Sequence, residues 1–495
     1  MSVNKKHPAY ETMCGKWNRC RDVYDGQDSI HARGAVYLPK LKDQTEEEYK
    51  AYVERATFYN ATYRTISGLL GMIFRQPPKV DVPEVMEEMM EDITMSGVPL
   101  QAFALSVSEE ALKQGRIGIL VDYPIVDAAV TTQADAAKLN LRPTMQMYEA
   151  LSIINWRTAN INNKTVLSLV VLEEAMIEVD ADGFGQKSKT VYRVLDLGAG
   201  GFYRQRLFEI KSDKDSQIGA DIIPAMNGKM LDFIPFVFIG TDDITPQVDE
   251  PPLIDLINLN ISHYKSTADL EHGAHFTGLP TPVVTGYVPE KEGEKLYIGS
   301  GAAWILKNPE AKASFLEFTG QGLDTLIKVI DRKETQMAIL GARMLEPQKA
   351  AVETAESQGI HRKGEESLLS SIAQTISMGL ERTLRWFAEW AGADPEQLEF
   401  ELNRDFFPAP MSSQMLTALV AAWQQGGISK ETLFQNLQQA EVISKEKTFE
   451  EEEAAIGTEP PAIAKQNAAA DAAAAIAAAS GMPGTPFPKQ AVPAN

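Results

Sequence analysis

The 495-residue chain carries 68 acidic against 47 basic side chains, a formal charge of −21, so it lacks the general excess of Lys and Arg that tight, non-specific phosphate binding needs. Its apolar content is ample for a real core, and its length allows two to four domains. The absence of an apolar run near 18 residues, the lack of a signal-like start and the presence of only Cys14 and Cys20 argue against a membrane span and a disulfide framework. A soluble protein assembled in a reducing cytoplasm is expected, with both thiols plain.

In chain order, Thr45 to Phe74 reads as one helix. Tyr49, Tyr52, Val53, Ala56, Tyr59, Tyr63, Ile66, Leu70 and Ile73 share a face, and Pro77-Pro78 ends it. Shorter helices are predicted over Val85 to Met95 and Pro99 to Gln114, and Ile117 to Tyr123 is β-prone. From Leu151 to Ile239 the period changes to strands: Leu151 to Trp156, Val166 to Val179, Thr190 to Leu197, Phe202 to Ile210 and Phe233 to Ile239. Turn signals at Asn162-Asn163, Asp182-Gly183 and Gly198 to Gly201 separate them, which predicts an antiparallel sheet module.

Pro251-Pro252 then suits a helix start. Leu253, Leu256, Ile257, Ile261, Tyr264 and Ala268 recur at three- and four-residue steps to about Phe276. A second rod runs from Gly322 to Pro347, with Leu323, Leu326, Ile327, Ile330, Met337, Ala338, Gly341 and Met344 on one face. Between the rods, Thr281 to Tyr287, Leu296-Tyr297 with Trp304 to Leu306, and Ala313 to Phe318 form a small β-rich insert. A third helix spans Glu365 to Ala391, buries Leu369, Ile372, Ile376, Leu380, Leu384 and Phe387, and stops at Gly392. Glu399 to Leu402 reads as a returning strand, Met411 to Gln425 as a helix, and Ser429 as the cap of another to Leu437. Lys447 to Asn495 holds the Glu450 to Glu453 run, an alanine tract from Ala468 to Ala479 and a Pro- and Gly-rich end. That composition predicts a mostly mobile tail.

Chemistry-bearing motifs are sparse. Gly198 to Gly201 precedes a strand, so it reads as a hairpin turn and not a phosphate cradle; no P-loop, GxSxG, HExxH or CxxC is present. His272 and His275 share a helical face but lack an evident third and fourth ligand, so no metal, cofactor or catalytic group is assigned. The segment Pro347 to Gly364 is polar, lies between two long helices, and sets Lys349, His361, Arg362 and Lys363 against Glu353 and Glu356. It reads either as a solvated linker or as a loop that projects into a channel and touches a polyanion.

These residues carry a likeness. Pro252-Leu253-Ile254-Asp255-Leu256, Thr277 to Gly286, and Gly341-Ala342-Arg343-Met344-Leu345 followed by Glu353-Thr354-Ala355-Glu356-Ser357 resemble, in order and spacing, stretches of the portal (head–tail connector) proteins of tailed bacteriophages. Phe400 to Phe406, Met411-Ser412 and Gly427-Ile428-Ser429 continue the pattern, which covers roughly residues 45 to 445. The resemblance implies an α+β portal-type fold: N-terminal arm and wing (1–252), stem helix (253–277), clip (278–320), second stem helix (321–346), tunnel loop (347–364), long wing helix with returning strand (365–410), helical crown (411–446) and disordered C-terminal tail (447–495). It implies a non-enzymatic virion protein, assembled in the host cytoplasm, that forms a ring of twelve at one capsid vertex. Double-stranded DNA would pass through that ring in packaging and ejection.

The implied partners are the terminase large subunit, head–tail adaptor proteins, and major capsid and scaffold proteins, with no membrane. Lys349, His361, Arg362 and Lys363 would face the channel from the tunnel loop, with Lys328, Arg332 and Lys333 as candidates on the second stem helix. An acidic chain suits a conduit along which DNA slides, because sliding needs walls that do not grip. The alternatives are another capsid-associated adaptor or secretion-type ring without DNA passage and, third, a metal-dependent hydrolase built on His272 and His275.

Overall fold

The computed structural model describes residues 2–124, 140–180, 182–198, 200–278, 281–286, 309–316, 321–345, 367–406, 413–424, 426–440, 442–444 and 447–458. Helices and antiparallel strands are mixed in an α+β arrangement, and the chain divides into two compact units, residues 1–406 and 407–495.

The first unit opens with a helix that precedes the first one expected, α1 (Pro8–Asp25). The His7 ring accepts from the Ala9 N–H, Pro8 sits in the first turn, and Gly26 at φ +93° ends it. Tyr10, Met13, Trp17, Cys20 and Val23 form its buried stripe, so Cys20 is a core residue. After α2 (Gln27–Arg33), the expected single helix from Thr45 to Phe74 is two, α3 (Glu46–Arg55) and α4 (Ala61–Ile73). The break has a cause. Ala56 is extended with its carbonyl on His31 Nε2 (2.8 Å), Phe58 N–H donates to Gln27, and the Asn60 side chain caps α4 through the Tyr63 N–H. Tyr59 and Tyr63 are consequently exposed.

Strand β1 (Lys79–Asp81) precedes α5 (Glu84–Met90), which stops short of the expected Met95 because Asp92 accepts the Gly97 N–H in a tight turn. Helix α6 (Leu100–Gln114) ends at Gly115 and feeds β2 (Arg116–Asp122), followed by β3 (Thr144–Glu149). Next comes a five-stranded meander: β4 (Ile153–Ile161), β5 (Lys164–Val179), β6 (Gln186–Leu197), β7 (Tyr203–Lys211) and β8 (Lys214–Ile222). Its two-residue turns Asn162-Asn163 and Ser212-Asp213 take positive φ at both positions, the geometry that matches strand twist. The polar β8 alternates only over Ile218, Ala220 and Ile222, too short a run to stand out in the sequence. The short pair β9 (Ala225–Met226) and β10 (Lys229–Met230) leads to β11 (Phe236–Gly240), which returns to β2 so that β11, β2 and β3 form a separate sheet.

Two long helices, α7 (Ile254–Gly278) and α8 (Gln321–Ala342), flank the pair β12 (Thr281–Thr285) and β13 (Lys312–Leu316). Helix α9 (Leu368–Ala391) starts three residues later than expected, where Ser367 caps the Ser370 N–H, and buries all six apolar residues that its period indicated. It presses on the central sheet at Gly379, where an added Cβ would lie 2.5 Å from the Ile239 side chain. Strand β14 (Glu399–Glu401) closes the unit by pairing with β1.

The second unit contains α10 (Ser413–Gln424), α11 (Lys430–Gln439) and α12 (Phe449–Thr458). The last lies at the start of the span 447–495 that was expected to be mostly mobile. Thr448 and Glu451 form a reciprocal cap, Phe449 packs on Phe434, and Lys430 pairs with Glu453 at 3.1 Å, so the acidic run is helical. Residues 459–495 lie outside the described residues.

Two outcomes test this architecture. Gly115 has φ +72°, and a Cβ there would approach the Glu250 carbonyl oxygen to 2.9 Å, so Gly115→Ala should cost about 2 kcal/mol or more in urea unfolding. In α6, Glu110 is buried beside Lys113, and burial raises its pKa from 4.5 to about 7. The folded state therefore holds a proton there that the unfolded chain has released. This contribution to stability is full below about pH 4.5 and is lost as pH rises through 7. Glu110→Gln should make the fall in melting temperature between pH 5 and 8 shallower, and an unchanged slope would refute the assignment.

Candidate functional site at the helical hairpin

The sequence confers length on α7 and α8: at 1.5 Å per residue their 25 and 22 residues make rods of about 37 and 33 Å. They run antiparallel, since Ser262 lies beside Lys333 and Gly273 beside Leu323. Gly273 costs helix propensity but permits the approach, because a Cβ there would sit 2.7 Å from a Leu323 methyl.

The root of the hairpin is fixed by its surroundings. Leu253, Leu256, Ile257, Ile261, Tyr264 and Ala268 are buried as their period indicated. Among them sits Asn260, fully buried, whose amide donates to the Tyr59 carbonyl (2.7 Å) and accepts from the Thr62 N–H (3.1 Å) and hydroxyl (3.0 Å). Further along, Tyr52 donates to Asp269 at 2.7 Å and packs edge-on against His272, while Arg19 reaches Asn258. The start of α4 is thereby bolted to α7. The sequence held a signal for this, an Asn in register with an otherwise apolar face.

Helix α8 differs. Ile330 and Met337 are buried, but Ile327 and Ala338, on the same face by their spacing, are exposed, as is Ile339 (44% for Ile327 and 48% for Ile339). Three acids (Asp324, Asp331, Glu334) and three bases (Lys328, Arg332, Lys333) balance on this helix, in contrast to the acidic whole. Lys328 and Arg332 are exposed. Lys333 lies in the seam, where its ammonium donates to the Ser262 carbonyl (2.8 Å) and the Ser266 hydroxyl (2.7 Å); burial and the neighbouring Arg332 lower its pKa. His263 meets Glu334 across the same seam at 3.2 Å.

Lys349, His361, Arg362 and Lys363 lie outside the described residues. His272 stands against Tyr52, with its pKa lowered by burial and by Arg55, and His275 contacts Arg55. Among the described residues no group of three or more His, Cys, Asp or Glu is placed to hold a metal, and no helix is long and apolar enough to cross a membrane.

Residues 252–391, from the start of the hairpin to the end of α9, match a family model described as a domain of unknown function, DUF4055. No curated protein matches the chain. Similar solved structures include a chain of the virion of a native gene transfer agent particle, 10% identical over 81% of this chain and 96% of that one. Another is a chain from the neck of the native particle computed with C12 symmetry, 10% identical over 77% and 91%. Both have a TM-score of 0.35, which falls short of a shared fold and carries no functional weight.

Replacing Asn260 by Ala would strand the Thr62 donors and the Tyr59 carbonyl in the interior. A loss of about 2 to 3 kcal/mol in chemical unfolding is expected, and a loss below 0.5 kcal/mol would show that Asn260 does not bolt the root.

Proposed function

We propose that the chain is the subunit of a portal-type ring at one vertex of a phage-like capsid, a structural protein and not an enzyme. The observation that carries this reading is the hairpin. Its root is buried, while α8, some 33 Å long, leaves isoleucines and a charge-balanced surface uncovered. A helix built this way satisfies one side within its own chain and needs further surfaces for the rest. Neighbouring copies around an axis provide them, and the charged positions meet channel water.

In this reading residues 1–252 are the wing, 253–277 and 321–346 the stem, 278–320 the clip, 347–364 the tunnel loop, 365–410 the long wing helix and returning strand, 411–446 the crown and 447–495 the tail. Twelve copies surround double-stranded DNA during packaging and ejection. Lys328 and Arg332 face the bore with the tunnel-loop residues Lys349, His361, Arg362 and Lys363, and Lys333 holds the hairpin together instead. The clip docks the terminase large subunit and then the head–tail adaptors, while the outer surface meets coat and scaffold proteins. Contact with DNA is weak and sequence-independent, as a charge-balanced wall on an acidic chain allows.

Electron imaging of the purified protein, with its mass in solution, tests this directly. Rings of about twelve copies with a bore of roughly 20 Å or more are expected, the clearance that duplex grooves and backbone need. A closed ring with a narrower bore would favour an adaptor or scaffold without DNA passage. Neutralising Lys349, Arg362 and Lys363 together should impair DNA packaging or retention while rings still form, and normal packaging would sink the loop assignment.

A further inference from the structure

The β5–β6 hairpin outgrows its sheet. Strand β4 pairs with β5 only as far as Leu172, and β7 pairs with β6 only from Tyr192, so Glu173–Val179 and Gln186–Val191 continue as a two-stranded arm. One face of the arm carries charge pairs, with Lys187 on Asp180 (2.8 Å) and Lys189 on both Glu178 (3.3 Å) and Glu209 of β7. The other sets Ala175, Ile177 and Val179 opposite Thr190, Ser188 and Gln186, with no charge among the six. Ile177 and Val179 are well exposed. At the tip, Asp182 accepts the Phe184 and Gly185 N–H groups and Gly183 turns at φ +77°, which presents the Phe184 ring 93% exposed. A two-stranded ribbon is marginal by itself, and an aromatic held out at its end is a contact group without a contact.

The same unit carries a cavity of about 620 Å³ lined by His7, Trp156, Arg157, Thr158, Pro246 and Val248. Its wall is rigid. The His7 ring stacks on Trp156 at 4.0 Å, and behind the indole lies the buried Arg116 guanidinium, 4.3 Å from the ring, which also donates to the carbonyls of Pro246 (3.1 Å) and Gln247 (2.7 Å). On one side of it Lys5 and Lys6 are exposed on a segment bonded to β4 at Ile154 and Asn155, and the lining residue Arg157 is exposed too, while Asp249 follows Val248 on the other. The arm tip brings Asp182, with Asp180 already paired to Lys187. The chain's own tip is out of reach, since Val170, the cross-strand partner of Trp156, lies ten residues from Asp180, about 33 Å along the strand.

We propose that the arm of one copy seats Phe184 in the Trp156–Val248 cavity of the next copy. The identity of the partner rests on the ring reading above. The match itself rests on shape and charge: an exposed phenyl ring for an open hollow walled by the Trp156 indole, Pro246 and Val248, and the Asp182 carboxylate for Lys5, Lys6 and Arg157 at its edge. Knob and socket are different patches of one chain, so the contact is head-to-tail, the kind that propagates around a ring. It also unites copies that repel one another at −21 each, because it uses a locally basic area of an acidic molecule.

The test uses the full chain with Cys14 replaced by Ser. Phe184→Cys combined with Thr158→Cys should yield, on mild oxidation, a ladder of linked copies that neither single variant gives. Phe184→Asp should raise the concentration of half-assembly by about tenfold or more, as loss of an interface anchor does, with the melting temperature of the monomer unchanged. If the wild-type chain forms rings and both variants assemble like it without the ladder, the arm contact is overturned and the ring reading stands. If the wild-type chain stays monomeric at every concentration, both fall.

Discussion

The strap from Thr241 to Pro251 sets the direction of everything that follows it in the chain, and a buried cation holds it. Arg116 sits between the rings of Trp156 and Phe238, at 4.3 and 4.2 Å, and spends one terminal nitrogen on the carbonyls of Pro246 and Gln247. Burial lowers its pKa to about 9, so the group is still charged at neutral pH. Removing such a charge from water is costly, and the two carbonyl dipoles and two aromatic faces offset part of that cost. Gly115 lets the Glu250 carbonyl close in from one side, Lys16 pairs with the Glu250 carboxylate, and Asp249 accepts from the Thr241 and Asp242 N–H groups. The helix that starts at Ile254 therefore leaves the body in one direction only.

Along the hairpin the contacts change from apolar to polar, and the change has a function in specification. Apolar stripes alone permit sliding by a turn, because one leucine resembles another four residues away. Asn260 on Tyr59 and Thr62, Lys333 on Ser262 and Ser266, and His263 on Glu334 do not permit it, since each shift would leave a donor or acceptor unpaired. Such groups add modest net stability and fix the register.

Much of this was legible in the residues, and the reasons for the failures are physical. The faces of α7 and α9 were readable because each is covered by its own chain, so periodicity and burial coincide. On α8 they separate: Ile327 and Ala338 fit the period but lack a cover within one copy. The α3–α4 break is hidden because its cause is tertiary: His31 and Gln27, from a distant segment, satisfy the backbone of Ala56 and Phe58, and the Tyr24 carbonyl accepts from the Asn60 side chain. The β8 strand alternates only over Ile218, Ala220 and Ile222, too short a run to stand out, whereas Tyr10, Met13, Trp17 and Cys20 do keep the helical spacing of α1. Lys333 looked like a surface base because sequence does not tell a seam from an outer face.

The arrangement of the two sheets has a kinetic consequence. In the meander every strand pairs with its sequence neighbour, so its contacts are local and close without long loops. The central sheet instead joins Gly118 to Phe238, a separation of 120 residues, and the meander occupies the middle of that interval. Closing so long a loop in an unstructured chain carries an entropy cost that shrinks once the insert has collapsed and its ends are near each other. The order of formation follows from topology: the meander acts as a template that delivers β11 to β2, and the long hairpin is aimed only after that late, non-local pairing is complete.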